Sequence, residues 1–331
     1  MSKWHCLFQK GFKAPENELK GEKKMYLGFL TVCLGSMPLK EKAAWAAQNG
    51  FKALEVACWP ASNTRDYASC DIDVVNLTQE RADEIKAYFK EFGLTLSSLA
   101  YYDNNLDRDP VKRAFINNHV KKCIDAAALL GVPAVGTFAG RNIDVDINRN
   151  FDAFEEVFSE LAAYAESNKV KLMVENCPME GWQAPGVPGT ISFSPELWEE
   201  MFIRVPRKNF GLNFDPSHLV FQLIDYIPLI PRFKDRIFHV HAKDTEIFED
   251  KLRYYGVFNR QLDAGHSSGY WRYRMPGLGQ VDWGRLVKAL KEIGYDGVLS
   301  TEHEDPLYEG NEEKVKEGLI LGRRHLEQFI G

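Results

Sequence analysis

Residues 283–302, WGRLVKALKEIGYDGVLSTE, contain one complete structural unit. A helical pattern over 283–293 runs into the stop signal Ile293-Gly294, and an apolar run over 297–302 follows, ending in Glu302. The same unit recurs along the chain. Apolar runs at 26–32, 53–58, 94–100, 134–138, 171–175, 211–215, 237–241 and 297–302 predict buried strands. Most are apolar throughout rather than alternating, as expected when both faces of a sheet are covered. Helical patterns at 39–49, 79–92, 111–130, 151–167, 283–293 and 312–329 lie between them. Asn49-Gly50, Phe92-Gly93 and Leu130-Gly131 repeat the stop signal before a strand. Eight β-α units after residue 25 predict an α/β protein with a (β/α)8 TIM barrel. A doubly wound open sheet is the alternative, weakened because no GxGxxG follows the first strand. Residues 1–24 are read as a polar extension and 25–331 as one barrel domain, without a linker or longer repeat.

Composition narrows the function classes. The 331 residues include 41 Lys+Arg and 47 Asp+Glu, a net charge of −6, which offers a polyanion no electrostatic footing, so nucleic acid is not expected as a partner. No stretch reaches the 18 apolar residues of a membrane span, and the N-terminus lacks the apolar core of a signal peptide. The six cysteines form no CxxC pair and read as reduced thiols, so a cytoplasmic location is expected.

The chemistry lies at strand ends. The last four strands finish in Glu175 (LMVENCP), Asp215 (LNFDPSH), His241 (FHVHAKD) and Glu302 (LSTEHED). A charge is costly on a buried apolar strand unless it is paired or metal-bound. Each group alone could be satisfied by a salt bridge or a helix cap, but in a barrel the strand ends converge on one mouth. Three carboxylates and one imidazole suit a hard or borderline divalent cation: Mn²⁺ first, with Mg²⁺, Co²⁺ or Zn²⁺ also fitting.

The motifs VEN, NFDPSH, HVHAKD and STEHED, in that order, resemble the xylose isomerase-like barrel superfamily, and within it the ketose 3-epimerase and inosose dehydratase branch. The resemblance covers residue 25 to the C-terminus and is strongest from Glu175 onward. It implies that Glu175, Asp215, His241 and Glu302 hold one metal, that Glu175 and Glu302 also move protons on opposite faces of a sugar, and that His218 contacts substrate oxygens. The extra histidines that a DNA-repair relative of this superfamily, endonuclease IV, needs for three metals are missing: the corresponding strand ends carry Cys58-Trp59, Tyr101-Tyr102 and Phe138.

Abstracting a proton beside a carbonyl needs a base and positive charge where the enediolate oxygen develops. Two carboxylates and a cation answer both needs. Together with the resemblance, this implies a divalent-metal-dependent sugar isomerase or epimerase as the expected activity. A lyase is the alternative, either an inosose-type dehydratase or a deglycosidase of 3-oxo-glycosides working by β-elimination with a small second subunit. A non-catalytic sugar-binding barrel is a third reading. His239 and Glu55 are read as inward-facing groups beneath the mouth, satisfied or supporting, and Lys243 as inward and able to hold an anion or hydroxyl. Asp244 and Glu304 are weaker candidates, and His303 has the wrong parity for the metal. Trp59, Tyr101, Tyr102 and Phe138 are expected on the apolar side of the pocket. Two long loops, 177–194 and 245–281, are expected to carry function. The second supplies His266, Tyr270, Trp271, Arg272 and Arg274, with Arg272 taken as a substrate contact. Those residues suit a subunit interface equally well, and a homo-oligomer is expected.

Overall fold

In the computed structural model, eight parallel strands close into a barrel. In chain order the strands are β1 (Tyr26–Leu30), β2 (Ala53–Ala57), β3 (Thr95–Asn104), β4 (Ala134–Phe138), β5 (Lys171–Glu175), β6 (Phe210–Phe214) and β7 (Ile237–Ala242). A separate hairpin, β8 (Asp244–Ile247) and β9 (Trp271–Arg274), precedes the last barrel strand, β10 (Val298–Thr301). Around the wall the order is β1-β10-β7-β6-β5-β4-β3-β2. The structure describes residues 24–63, 65, 67–184, 186–257 and 269–331. The expected polar extension, apart from Lys24, and His266 lie outside them.

The outer layer consists mainly of α1 (Leu39–Gln48), α2 (Gln79–Glu91), α3 (Pro110–Leu130), α4 (Ile147–Ser167) and α5 (Pro195–Arg204). After the short helices α6 (Ser217–Val220), α7 (Leu229–Arg232) and α8 (Glu249–Tyr255) it is completed by α9 (Trp283–Glu292) and α10 (Glu312–Ile330). Every residue of β2, β4 and β6 is buried, because helices cover one face and the barrel interior the other. Local chemistry sets the helix ends. Asp109 accepts from the amides of Val111 and Lys112 ahead of Pro110, and Gly131, at φ 72°, closes α3 in the left-handed region. Asp282 caps α9 in the same way through the Arg285 amide.

Three differences from the expected elements bear on the site. First, β3 runs on to Asn104, with a register shift between Ala100 and Asn104, the stretch that holds Tyr101 and Tyr102. Second, residues 245–281 are not one long loop. Thr245 pairs with Tyr273 and Glu246 with Arg272 in the β8–β9 hairpin, whose four-residue strands are too short to stand out as apolar runs. Third, the helix expected from 151 begins at Ile147, capped by Asp146, and α5 follows the 177–194 loop with Trp198 and Met201 buried. No helix among the described residues is long and apolar enough to cross a membrane.

Candidate metal centre

Glu175 is the last residue of β5, and Asp215 and Glu302 stand one residue beyond β6 and β10, while His241 lies near the end of β7. The barrel brings one ligand-type atom from each to within 4.8 Å of the others. His241 Nδ1 lies 3.2 Å from Glu302 Oε2 and 3.5 Å from Glu175 Oε1. All four side chains are buried, Glu302 being the most exposed at 6 %. Glu175 Oε2, Asp215 Oδ2 and His241 Nδ1 have no hydrogen bond among the described residues. Buried polar atoms are nearly always paired, so three orphans converging on one point, with a fourth carboxylate beside them, form a donor set that fits a divalent cation of oxygen and nitrogen preference.

The neighbouring strand ends are tied together by Asn176, whose Oδ1 accepts from the Asp215 amide at 2.7 Å and whose Nδ2 donates to the Asp215 carbonyl at 2.8 Å. The asparagine of VEN therefore sets the separation of Glu175 and Asp215, a role with no signal in the sequence beyond its adjacency. His218, on α6, brings Nε2 to 3.0 Å from Glu175 Oε1 and 3.3 Å from Asp215 Oδ2. Burial holds it well below the ordinary imidazole pKa, so it is neutral at neutral pH.

Lys243 reaches the same cluster. Its Nζ lies 2.7 Å from both Glu302 Oε2 and Glu304 Oε2, and 3.5 Å from Asp215 Oδ2. Burial works against its charge, but these carboxylates outweigh burial and hold its pKa above the ordinary lysine value. Burial likewise opposes ionisation of Glu302, yet Lys243 and His241 keep it well below the usual carboxylate range. Glu175 is pushed up, first by burial and then by the charge of Glu302. Asp215 is pushed up by burial.

The remaining expected residues divide. Phe138 stands 5.0 Å from the Tyr102 ring and 5.6 Å from Trp182, and Trp59 stands 6.1 Å from Tyr102, making an apolar side. Tyr101 does not take the inward place expected of it. Its ring packs 4.5 Å from His119 of α3, in the layer between barrel and helix, and alternation turns Tyr102 inward instead. Arg272 is also placed elsewhere: it pairs with Glu246 at 2.7 Å and lies over the Phe248 ring, on the face of β9 opposite Tyr273. Tyr273, which the sequence did not single out, approaches the cluster. Its hydroxyl lies 3.0 Å from His218 Nδ1 and 3.1 Å from Glu180 Oε1, and its ring is 4.4 Å from Lys243 Nζ. Arg274 is taken up by Asp305 and Glu246.

Asp244 is structural, accepting from the amides of Thr245, Gly277 and Val281 and from Trp283 Nε1. His303 packs against Gly318 of α10, away from the cluster. Glu55, His239 and His241 also approach one another, but the ring nitrogens facing that space are already hydrogen bonded. Over the mouth, the Arg65 guanidinium stacks 5.1 Å from the Trp182 ring and so joins the loops after β2 and β5.

Known proteins are similar to this chain. The uncharacterized protein YfiH of Bacillus subtilis strain 168 is 25 % identical over 299 residues, 85 % of this chain and 93 % of that protein. The inosose dehydratase of Lacticaseibacillus casei is 34 % identical over 103 residues, 29 % of this chain and 31 % of that enzyme. Among solved structures, D-psicose 3-epimerase with D-tagatose from Clostridium cellulolyticum H10 superposes with a TM-score of 0.67 at 15 % identity, covering 92 % of this chain and 99 % of the epimerase. The IolI protein with a binding zinc atom gives 0.65 at 21 % identity, covering 92 % and 96 %. At these identities the two structures share the fold. The sequence model of the xylose isomerase-like TIM barrel family matches residues 43–325, and the chain belongs to that family.

Proposed function

We propose that this chain is a sugar isomerase or epimerase that uses one divalent metal and moves a proton at a carbon beside a carbonyl. The observation that carries the reading is the convergence of three buried, unbonded donor atoms of Glu175, Asp215 and His241 on Glu302. These four residues would hold the cation, manganese being the first assignment and magnesium, cobalt and zinc fitting the same donors. When bound, the cation supplies Lewis acidity and the positive charge that a developing enediolate oxygen needs.

The protein's own groups do the rest. Glu175 and Glu302 come from β5 and β10, with β6 and β7 between them in the wall. Two carboxylates so separated can remove a proton on one side of a bound sugar and return one on the other. Lys243 keeps Glu302 ionised, the form a base requires. His218 is neutral and hydrogen bonded to Tyr273 through Nδ1, and its Nε2, bonded to Glu175 in the free chain, would exchange that partner for a sugar hydroxyl. Buried Trp59, Tyr102 and Phe138 present apolar surface on which a sugar face can rest. A small sugar or keto-sugar is the proposed substrate.

Dehydration is the second reading, favoured by the match to inosose dehydratases. Its first step is the same proton abstraction, and the hydroxyl on the neighbouring carbon then takes a proton from one of the two glutamates and leaves as water. Incubation with a keto-sugar panel in D₂O separates the readings. Deuterium at a carbon beside the carbonyl, with the rest of the mass conserved, is expected for the isomerase or epimerase. Loss of water identifies the dehydratase. Absence of both carbon-bound exchange and water loss from every substrate sinks both, and Glu175→Gln and Glu302→Gln are each expected to abolish whichever is seen.

A further inference from the structure

Behind His241 and Tyr102, the barrel interior beneath the metal centre holds polar side chains, Glu55, Asn213, Ser300 and His239, that the proposed reaction does not use. Glu55, fully buried on β2, receives three hydrogen bonds. Its Oε1 accepts from the Tyr102 hydroxyl at 2.6 Å, and its Oε2 accepts from Ser300 Oγ and from His241 Nε2, both at 2.9 Å. Tyr102 in turn accepts from Asn213 Nδ2 at 2.7 Å, and Asn213 Oδ1 faces His239 Nδ1 at 3.1 Å. A carboxylate only accepts, so the Tyr102 proton points to Glu55, and the amide group of Asn213 must then point to Tyr102. Asn213 Oδ1 is left to accept from His239 Nδ1. Every donor along this line is oriented toward Glu55, which has no capacity to donate in return.

Packing holds the line in place. A Cβ on Gly136 of β4 would lie 2.5 Å from the Tyr102 hydroxyl oxygen, so the bare backbone there admits the phenol into the interior. The consequence falls on His241. With Nε2 committed as an N–H donor to Glu55, the nitrogen left facing Glu175 and Glu302 is Nδ1, the atom that has no hydrogen bond. A cation can be held only by the neutral imidazole, which offers one donor and one lone pair, and the partner of one nitrogen decides which atom carries the lone pair.

We infer that Glu55 is a positioning residue for the metal centre: by holding the His241 proton on Nε2 it presents Nδ1, already aimed between Glu175 and Glu302, as the metal-binding nitrogen. The inference rests on the metal reading proposed above, and extends it to a residue on the far side of the barrel that touches neither cation nor substrate.

The test measures metal binding directly. Co²⁺ is titrated into the full chain, stripped with chelator, and into Glu55→Gln, with affinity and the cobalt d–d absorption spectrum recorded together. Loss of a hydrogen-bonded partner behind a metal-binding histidine typically weakens affinity about 10–100-fold. A loss of that size is expected for Glu55→Gln, with an altered cobalt spectrum. A Glu55 that only stabilised the barrel would lower the melting temperature and leave the spectrum of bound cobalt unchanged. Should Glu55→Gln fail to fold, Ser300→Ala and Tyr102→Phe each remove one hydrogen bond from Glu55, and are expected to move affinity and spectrum in the same direction by less. Unchanged affinity and spectrum in the folded variants overturn the role of Glu55 and leave the metal centre standing. No cobalt binding by the unmodified chain overturns both.

Discussion

Removing the divalent cation is expected to cost this protein several degrees of thermal stability. Without a cation, Glu175 Oε2, Asp215 Oδ2 and His241 Nδ1 are buried and unbonded. A fully orphaned buried atom costs about 1–3 kcal/mol, and since Asp215 Oδ2 and His241 Nδ1 keep charged neighbours at 3.2–3.5 Å, a bound ion recovers less than three such costs. What a melt registers is limited by mass action. A cation at 100 to 1,000 times its Kd stabilises the fold by about 2.7–4.1 kcal/mol. At about 2 °C per kcal/mol, the low end for large domains, the midpoint should rise by about 5–8 °C. The assay is calorimetry on protein stripped with EDTA, then supplied in turn with Mn²⁺, Co²⁺, Zn²⁺ and Mg²⁺. The Asp215→Asn/His241→Gln double variant should lose the rise, because it removes two of the orphaned donors. A midpoint that none of the four cations moves, or a double variant that responds as the unmodified chain does, would refute a metal centre at these residues.

Metal affinity should fall on acidification. Glu175 and Asp215 have folded-state pKa values raised by burial, so a cation must displace protons there as the pH drops; the metal-free fold, which gains from binding those protons, loses stability as pH rises from the ordinary carboxylate value through the raised ones. The cation-induced rise in midpoint should therefore be larger at pH 8 than at pH 5.5, and an equal rise at both would contradict the assignment. Lys243→Met is expected to cost the metal-free protein about 3–5 kcal/mol, since Glu302 and Glu304 lose their shared buried cation, and to cost the metal-loaded protein less. Equal losses in paired melts would refute that. Asp244→Asn should destabilise by about 2–4 kcal/mol in denaturant unfolding, because an amide nitrogen cannot replace an oxygen that accepts from two N–H groups; a loss under 1 kcal/mol would contradict it.

The architecture was legible in the sequence because a strand covered on both faces must be apolar along its length, and 134–138 and 171–175 coincide with β4 and β5. The strand-end acids were legible for the converse reason, since a charge closing an apolar run needs a partner. Local rules went no further. Whether Tyr101 or Tyr102 faces inward depends on the register of β3 beyond Ala100, which only pairing with β4 settles. Whether Arg272 or Tyr273 approaches His218 depends on the β8–β9 hairpin, formed by residues far apart in sequence.

Sequence periodicity alone determined that strands and helices alternate around a barrel, and that Glu175, Asp215, His241 and Glu302 sit at strand ends. The tertiary structure alone decided what stands behind them. Glu55 bonds His241 across 186 residues of chain, and Asn213 bonds Tyr102 across 111. Closure of the barrel brings β2, β3, β6 and β7 around one interior, and hydrogen bonds depend on distances in space that no spacing along the chain encodes.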